Sequence, residues 1–155
     1  MKVILLNGSP KSKGCTYTAL KIIENELINE GIEVKFYEVG NKPVIGCIGC
    51  NACRKLGKCV HDDLVNEVSK EMESADGFIV GSPVHYAAAS GAATSFLDRL
   101  FYSTDKNQLR HKFGASIVSC RRGGASAAFD QLNKYFTKTD VATPEVKYGI
   151  KKRTA

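Results

Sequence analysis

Short, mostly apolar runs alternate along this chain with longer stretches whose apolar residues recur at helical spacing. The runs at 3–6, 77–80 and 115–119 have the length and continuity of strands covered on both faces, and 34–37, after a turn at Gly31, reads as a further strand. Residues 18–29, 92–102 and 125–136 read as amphipathic helices. Asp62 or Asp63 stands where an N-cap would open another helix, running to residue 73. This order predicts an α/β fold, a doubly wound parallel sheet with helices on both faces. Neither an internal repeat nor a low-complexity linker interrupts it.

At 155 residues and 43% hydrophobic content the chain can bury one substantial core, which predicts a single domain over 1–155. No apolar run approaches the roughly 20 residues that span a bilayer, so no membrane association is expected. The apolar N-terminal stretch is too short for a signal peptide and leads straight into a polar loop, so a cytoplasmic location is expected. The formal charge of +6 is uneven: the tail at 138–155 holds five Lys/Arg against two Asp/Glu, half the total. No aromatic-rich basic face accompanies it, so the tail reads as solvated and nucleic acid is not an expected partner.

Chemistry enters at residues 7–18, between the first strand and the first helix, with two glycines, two serines, two threonines and two lysines. Such a junction aims backbone N–H groups and the positive end of a helix dipole at one point, which suits an anion. The segment has neither the G-x-G-x-x-G nor the G-x-x-x-x-G-K-[ST] spacing, which argues against a dinucleotide or triphosphate. A monophosphate gripped by hydroxyls and amides remains, as in the phosphate loop of flavodoxin-like proteins. An ordinary strand-to-helix turn with Ser12 or Thr16 as cap is the plainer alternative.

Ligands of doubly wound sheets bind beyond the carboxyl ends of the strands. The third strand runs there into Gly81-Ser82-Pro83-Val84-His85-Tyr86, where Gly and Pro set a turn and Tyr86 offers a ring to a flat cofactor. The fourth runs into Ser119-Cys120-Arg121-Arg122-Gly123-Gly124, where paired glycines permit close backbone approach and an arginine suits an electron-rich ring. His85 reads as an ordinary surface or packed histidine, and Cys15 and Cys120 as small packing residues.

Cys47, Cys50, Cys53 and Cys59 form a C-x2-C-x2-C-x5-C run in the loop at 46–60. Thiols so close together in a reducing compartment point to metal rather than to structural disulfides. The spacing suits a loop wrapping the corners of a 4Fe-4S cube, whereas structural zinc usually takes two separated C-x2-C knuckles. Zinc and free or redox-paired thiols remain open, and His61 is near enough to act as a substitute ligand. Gly46, Gly49 and Gly57 give the loop freedom to wrap.

With GSPKSKGCT at 8–16, CIGCNACRKLGKCVHDD at 47–63, ADGFIVGSPVHYAAASGAATSFLDRLF at 75–101 and SCRRGG at 119–124, the chain resembles the NAD(P)H-dependent FMN reductase superfamily, and within it the iron-sulfur flavoproteins. The resemblance implies strand order 2-1-3-4-5. It implies FMN phosphate at Ser9, Lys11, Ser12 and Thr16, and ring contacts from Ser82, Pro83, Val84, His85, Tyr86, Arg121, Arg122, Gly123 and Gly124. It also implies Cys47, Cys50, Cys53 and Cys59 as cluster ligands. Members continue into a fifth strand and a last helix; here 137–155 is polar and weakly periodic, 146–150 reads as a short edge strand, and nothing after it reads as a covering helix.

The implied activity is an oxidoreductase in which FMN takes hydride from NAD(P)H and passes electrons to a quinone, flavin or other small acceptor. The alternative is an electron carrier linking flavin, a 4Fe-4S cluster and a ferredoxin-type partner. Neither route needs a side chain as catalytic acid or base in the hydride step. A homo-oligomer is expected by the same resemblance, and the apolar face of Phe96, Leu97, Leu100 and Phe101 suits a neighbouring subunit or the chain's own sheet equally well.

Overall fold

The computed structural model of the chain describes residues 1–139 and 141 and the backbone of 149–151. In chain order the elements are β1 (Lys2–Asn7), α1 (Cys15–Asn29), β2 (Glu33–Glu38), α2 (Cys53–Leu56), α3 (Leu64–Glu71), β3 (Gly77–His85), β4 (Ala88–Ala89), α4 (Gly91–Ser103), α5 (Lys106–Leu109), β5 (Phe113–Cys120), α6 (Ala125–Thr137) and β6 (Gly149–Lys151). The parallel path runs β2-β1-β3-β5-β6, and the two-residue β4 folds back antiparallel on the end of β3. Leaving out that hairpin arm, this is the expected order 2-1-3-4-5, with a fifth parallel strand three residues long. The tail beyond 151, where no covering helix is expected, lies outside the described residues.

Alternation along the central strands divides the core into two layers. Ile4, Leu6, Phe78, Val80 and Val118 face α3, α4 and α6, joining Val65, Val68, Met72, Phe96, Leu97, Leu100 and Phe136 in one buried cluster. Phe96, Leu97 and Leu100 are thereby buried within the chain and Phe101 packs partly buried against the same cluster, so this face covers the sheet. On the opposite layer α1 packs on β1, β3 and β5. A Cβ on Gly81 would lie 2.8 Å from Leu20 Cδ1 and Thr16 Cγ2, which shows how closely that helix sits.

Several boundaries shift by a few residues from expectation, and those nearest the first loop have local reasons. Helix α1 begins at Cys15, three residues early, because Gly14 serves as N-cap; neither Ser12 nor Thr16 fills that role. Strand β3 extends through Pro83 to His85, since Gly77 to Pro83 pair continuously with Phe113 to Ser119. The turn to β4 holds Tyr86 and Ala87 at φ of 48° and 62°, a left-handed pair that the sequence, lacking Gly or Asn there, does not announce. Asp63 is the cap of α3, accepting from Val65 N at 3.0 Å.

Ser90 ties the α4 layer to the first loop. Its Oγ accepts from Ala93 N at 3.2 Å as the cap of α4 and donates to Gly8 O at 2.7 Å, while its own N donates to Ser82 Oγ at 2.9 Å. Replacing Ser90 by alanine removes the cap and leaves the Gly8 carbonyl unpaired in a dry site. Urea unfolding of Ser90→Ala should show a loss of about 1–3 kcal/mol, and a loss near zero would mean that water reaches this junction.

Candidate functional site

The carboxyl ends of β1, β3 and β5 meet at a cleft of about 550 Å³ lined by Ser9, Lys11, Lys13, Cys15, Thr16, Pro83, Val84, His85, Ser119, Cys120 and Arg121 among others. Its volume falls in the usual range of small-ligand pockets, about 300–1,000 Å³. Of the lining residues Lys11, Lys13 and Arg121 are cations and none is a carboxylate. The α1 N-terminus adds to this field, because among the described residues no side chain caps it.

Ser9 is only 5% exposed, and its Oγ accepts from Lys11 N at 3.1 Å, which folds the loop back on itself. Asn7 prepares that turn: Oδ1 accepts from Ser9 N at 3.1 Å and Nδ2 donates to Glu38 Oε1 at 3.1 Å. Thr16 Oγ1 and Ser119 Oγ share a hydrogen bond of 2.8 Å across the cleft floor, joining the first loop to the end of β5. Gly8 is required here, since a Cβ would stand 2.6 Å from Ala93 Cβ and 2.9 Å from Gly81 O.

Of the thirteen residues expected to hold a cofactor, the cleft lining brings together Ser9, Lys11, Thr16, Pro83, Val84, His85 and Arg121. Ser12 and Arg122 are exposed outside that lining. Ser82 is fully buried behind it, with Oγ donating to Pro83 O at 2.8 Å. Tyr86 projects wholly into solvent at the hairpin tip. Gly124 backs that tip at φ 87°, so close that a Cβ would fall 2.5 Å from Ala87 Cα, and Gly123 lies exposed beside it. Cys15 and Cys120 are not packing residues: Cys15 is exposed, and both line the cleft.

Cys47, Cys50, Cys53 and Cys59 line one small cavity of about 20 Å³ together with His61, Arg99 and Ser103. Cys47 and Cys50 are exposed, while Cys53 and Cys59 are half-buried against α4. His61 Nε2 and Ser103 Oγ, both buried, have no hydrogen-bond partner. Among the described residues no three His, Cys, Asp or Glu side chains are gathered closely enough for a single ion. Four thiols and no carboxylate line this cavity, a donor set whose chemistry suits an iron-sulfur centre.

Arg99, which the periodicity did not single out, organises the segment: it is 1% exposed and forks onto Asp63 with Nη1–Oδ2 at 2.6 Å and Nη2–Oδ1 at 2.9 Å. The available signal was its position three residues after Phe96, on the core side of an apolar helix. Partial burial pushes the Asp63 carboxyl up, but the Arg99 bond, the Val65 amide and the Arg99 charge outweigh it and hold the group below its usual value.

The fold and this cationic cleft define a flavodoxin-like protein; a solved flavodoxin from the domain Archaea superposes with a TM-score of 0.66 at 17% identity, over 97% of this chain and 85% of its own. A family model described as NADPH-dependent FMN reductase matches residues 1–152, and the chain belongs to that family of flavoprotein oxidoreductases. An iron-sulfur flavoprotein of Methanocaldococcus jannaschii is 37% identical over 138 residues, 88% of this chain and 72% of the relative. One from Archaeoglobus fulgidus is 33% identical over 118 residues, 76% of this chain and 54% of the relative. Among the described residues no helix is long and apolar enough to cross a membrane.

A depressed carboxyl contributes stability that is complete above its unfolded value of about 3.9 and vanishes as pH falls through the lower folded value. Unfolding free energy measured between pH 6 and about pH 2 should therefore fall more steeply in the wild type than in Asp63→Asn. Parallel curves would show that the Arg99 pair does not contribute to acid sensitivity.

Proposed function

We propose that this protein is an FMN-dependent oxidoreductase that accepts hydride from NAD(P)H and delivers electrons to a quinone, a free flavin or another small acceptor. The observation that carries the reading is the cleft at the strand ends: a helix N-terminus without a side-chain cap, three cations and no lining carboxylate. Ser9, Lys11, Ser12, Thr16 and the first amides of α1 would hold the phosphate. Pro83, Val84 and His85 would form one wall for the ring and Arg121 the other, with Ser82 fixing the turn beneath and Tyr86, Arg122, Gly123 and Gly124 at the rim. FMN, when bound, supplies the hydride chemistry; the chain supplies position, positive potential and exclusion of water from one ring face.

A second reading has its own support in the four thiols around one cavity and the two orphaned polar atoms beside them. In it Cys47, Cys50, Cys53 and Cys59 would hold a 4Fe-4S cluster, and electrons would leave singly to a ferredoxin-type protein. The relatives' names point the same way.

Visible spectra of anaerobically purified protein, before and after adding NADPH or NADH, separate these readings. Twin flavin bands that bleach with either nucleotide, in iron-free protein, support the reductase. Bands overlaid by a broad charge-transfer shoulder, with iron and acid-labile sulfide in near-equal amounts, support the carrier. Bound flavin that neither nucleotide reduces would sink the first proposal. For the cradle itself, Ser9→Ala and Thr16→Ala should each weaken FMN binding by about 1–3 kcal/mol in fluorescence titrations, the loss expected for one buried hydrogen bond to an anion. Unchanged affinity in the double variant would show that the phosphate binds elsewhere.

A further inference from the structure

Arg99 makes more contacts than an ion pair requires. Its guanidinium has five N–H donors, and in a dry site every one left unpaired is costly. Two go to Asp63. The other three reach separate points of the cysteine segment: Nη1 donates to Ile45 O at 3.4 Å, Nη2 to His61 O at 3.1 Å, and Nε to Cys59 Sγ at 3.2 Å. One buried side chain on α4 thus clasps the backbone before the first cysteine, the backbone after the last, and the last sulfur itself.

The bond to sulfur is the informative one. A neutral thiol is a weak acceptor, whereas a sulfur bound to iron carries negative charge and accepts strongly. Outer partners of this kind orient ligands, and hydrogen bonds to cluster sulfurs are among the factors that set reduction potential. We propose that Arg99 is the positioning residue of a redox centre in the cysteine loop: it fixes Cys59 as a corner ligand, and its Nε–H stabilises the more negative, reduced state and so raises the centre's potential. The inference rests on the iron-sulfur reading of that loop. A lysine at this position keeps a charge but cannot fork to Asp63 and reach Cys59 at once.

The test uses the full chain, purified anaerobically, as wild type, Arg99→Lys and Arg99→Gln. Redox titration followed in the visible should show the iron-sulfur bands of both variants reduced at lower potential than in the wild type, with the flavin potential unmoved. Equal potentials in all three would overturn the tuning role. A second comparison needs no iron: in metal-free protein Cys59→Ser leaves an oxygen to accept from Nε, while Cys59→Ala leaves that donor unpaired. Cys59→Ala should melt several degrees below Cys59→Ser, and the gap should close when Arg99 is lysine. Identical melting would overturn the positioning role, even if the Arg99 variants failed to fold. If the wild type takes up no iron, the tuning role falls with the iron-sulfur reading, and the melting comparison alone decides whether Arg99 holds Cys59.

Discussion

The hydrogen bond from Ser90 Oγ to the Gly8 carbonyl, 2.7 Å long and buried, is the point at which the sheet, the first loop and α4 become one object. It forms only because Gly8 has no side chain and can lie against Ala93. From there bonds continue through Ser90 N to Ser82 Oγ and on to Pro83 O, so the end of β3 is held by the same residue. Linked hydrogen bonds in a dry interior strengthen one another, and the loss of one member exposes the rest. The cleft walls are therefore set before any ligand arrives.

Positive charge has two different uses in this molecule. Around the cleft Lys11, Lys13 and Arg121 sit without a lining carboxylate, and their field is available to an anion from outside. Beneath the cysteine loop the Arg99 charge is matched within the chain by Asp63, so what it offers the loop is a set of directed hydrogen bonds. The first arrangement favours binding and the second favours order. Neither is visible in the net charge of +6, to which the terminal tail contributes half.

The sheet was legible because parallel strands buried on both faces leave nearly unbroken apolar runs, as at Ile4 to Leu6 and Phe78 to Val80. The loops at the strand ends were legible because Gly, Ser and Pro cluster there. Three things were not. The β3–β4 hairpin closes on Tyr86 and Ala87 in left-handed conformations that neither residue favours; Gly124, contributed by a distant segment, leaves room for the tip. Short helices α2 and α5 carry too few residues to show a period. Arg99 was hidden because a charged residue on an apolar helix face is read as an interruption, whereas burial with all donors paired makes it part of the core. The cysteine spacing placed four thiols on one loop, and the structure lines one small cavity with them.

Ser90, at the head of α4, holds the first loop, and Arg99 holds the cysteine segment nine positions further on. At about 1.5 Å and 100° per residue, that interval sets the two anchors about 14 Å apart along the axis and on roughly opposite sides of the rod. The helix is thus a ruler and a protractor together. One residue inserted between the anchors would turn the second by about 100° relative to the first, so that only one of the two could keep its grip. Surface loops tolerate changes in length; this buried helix fixes its own.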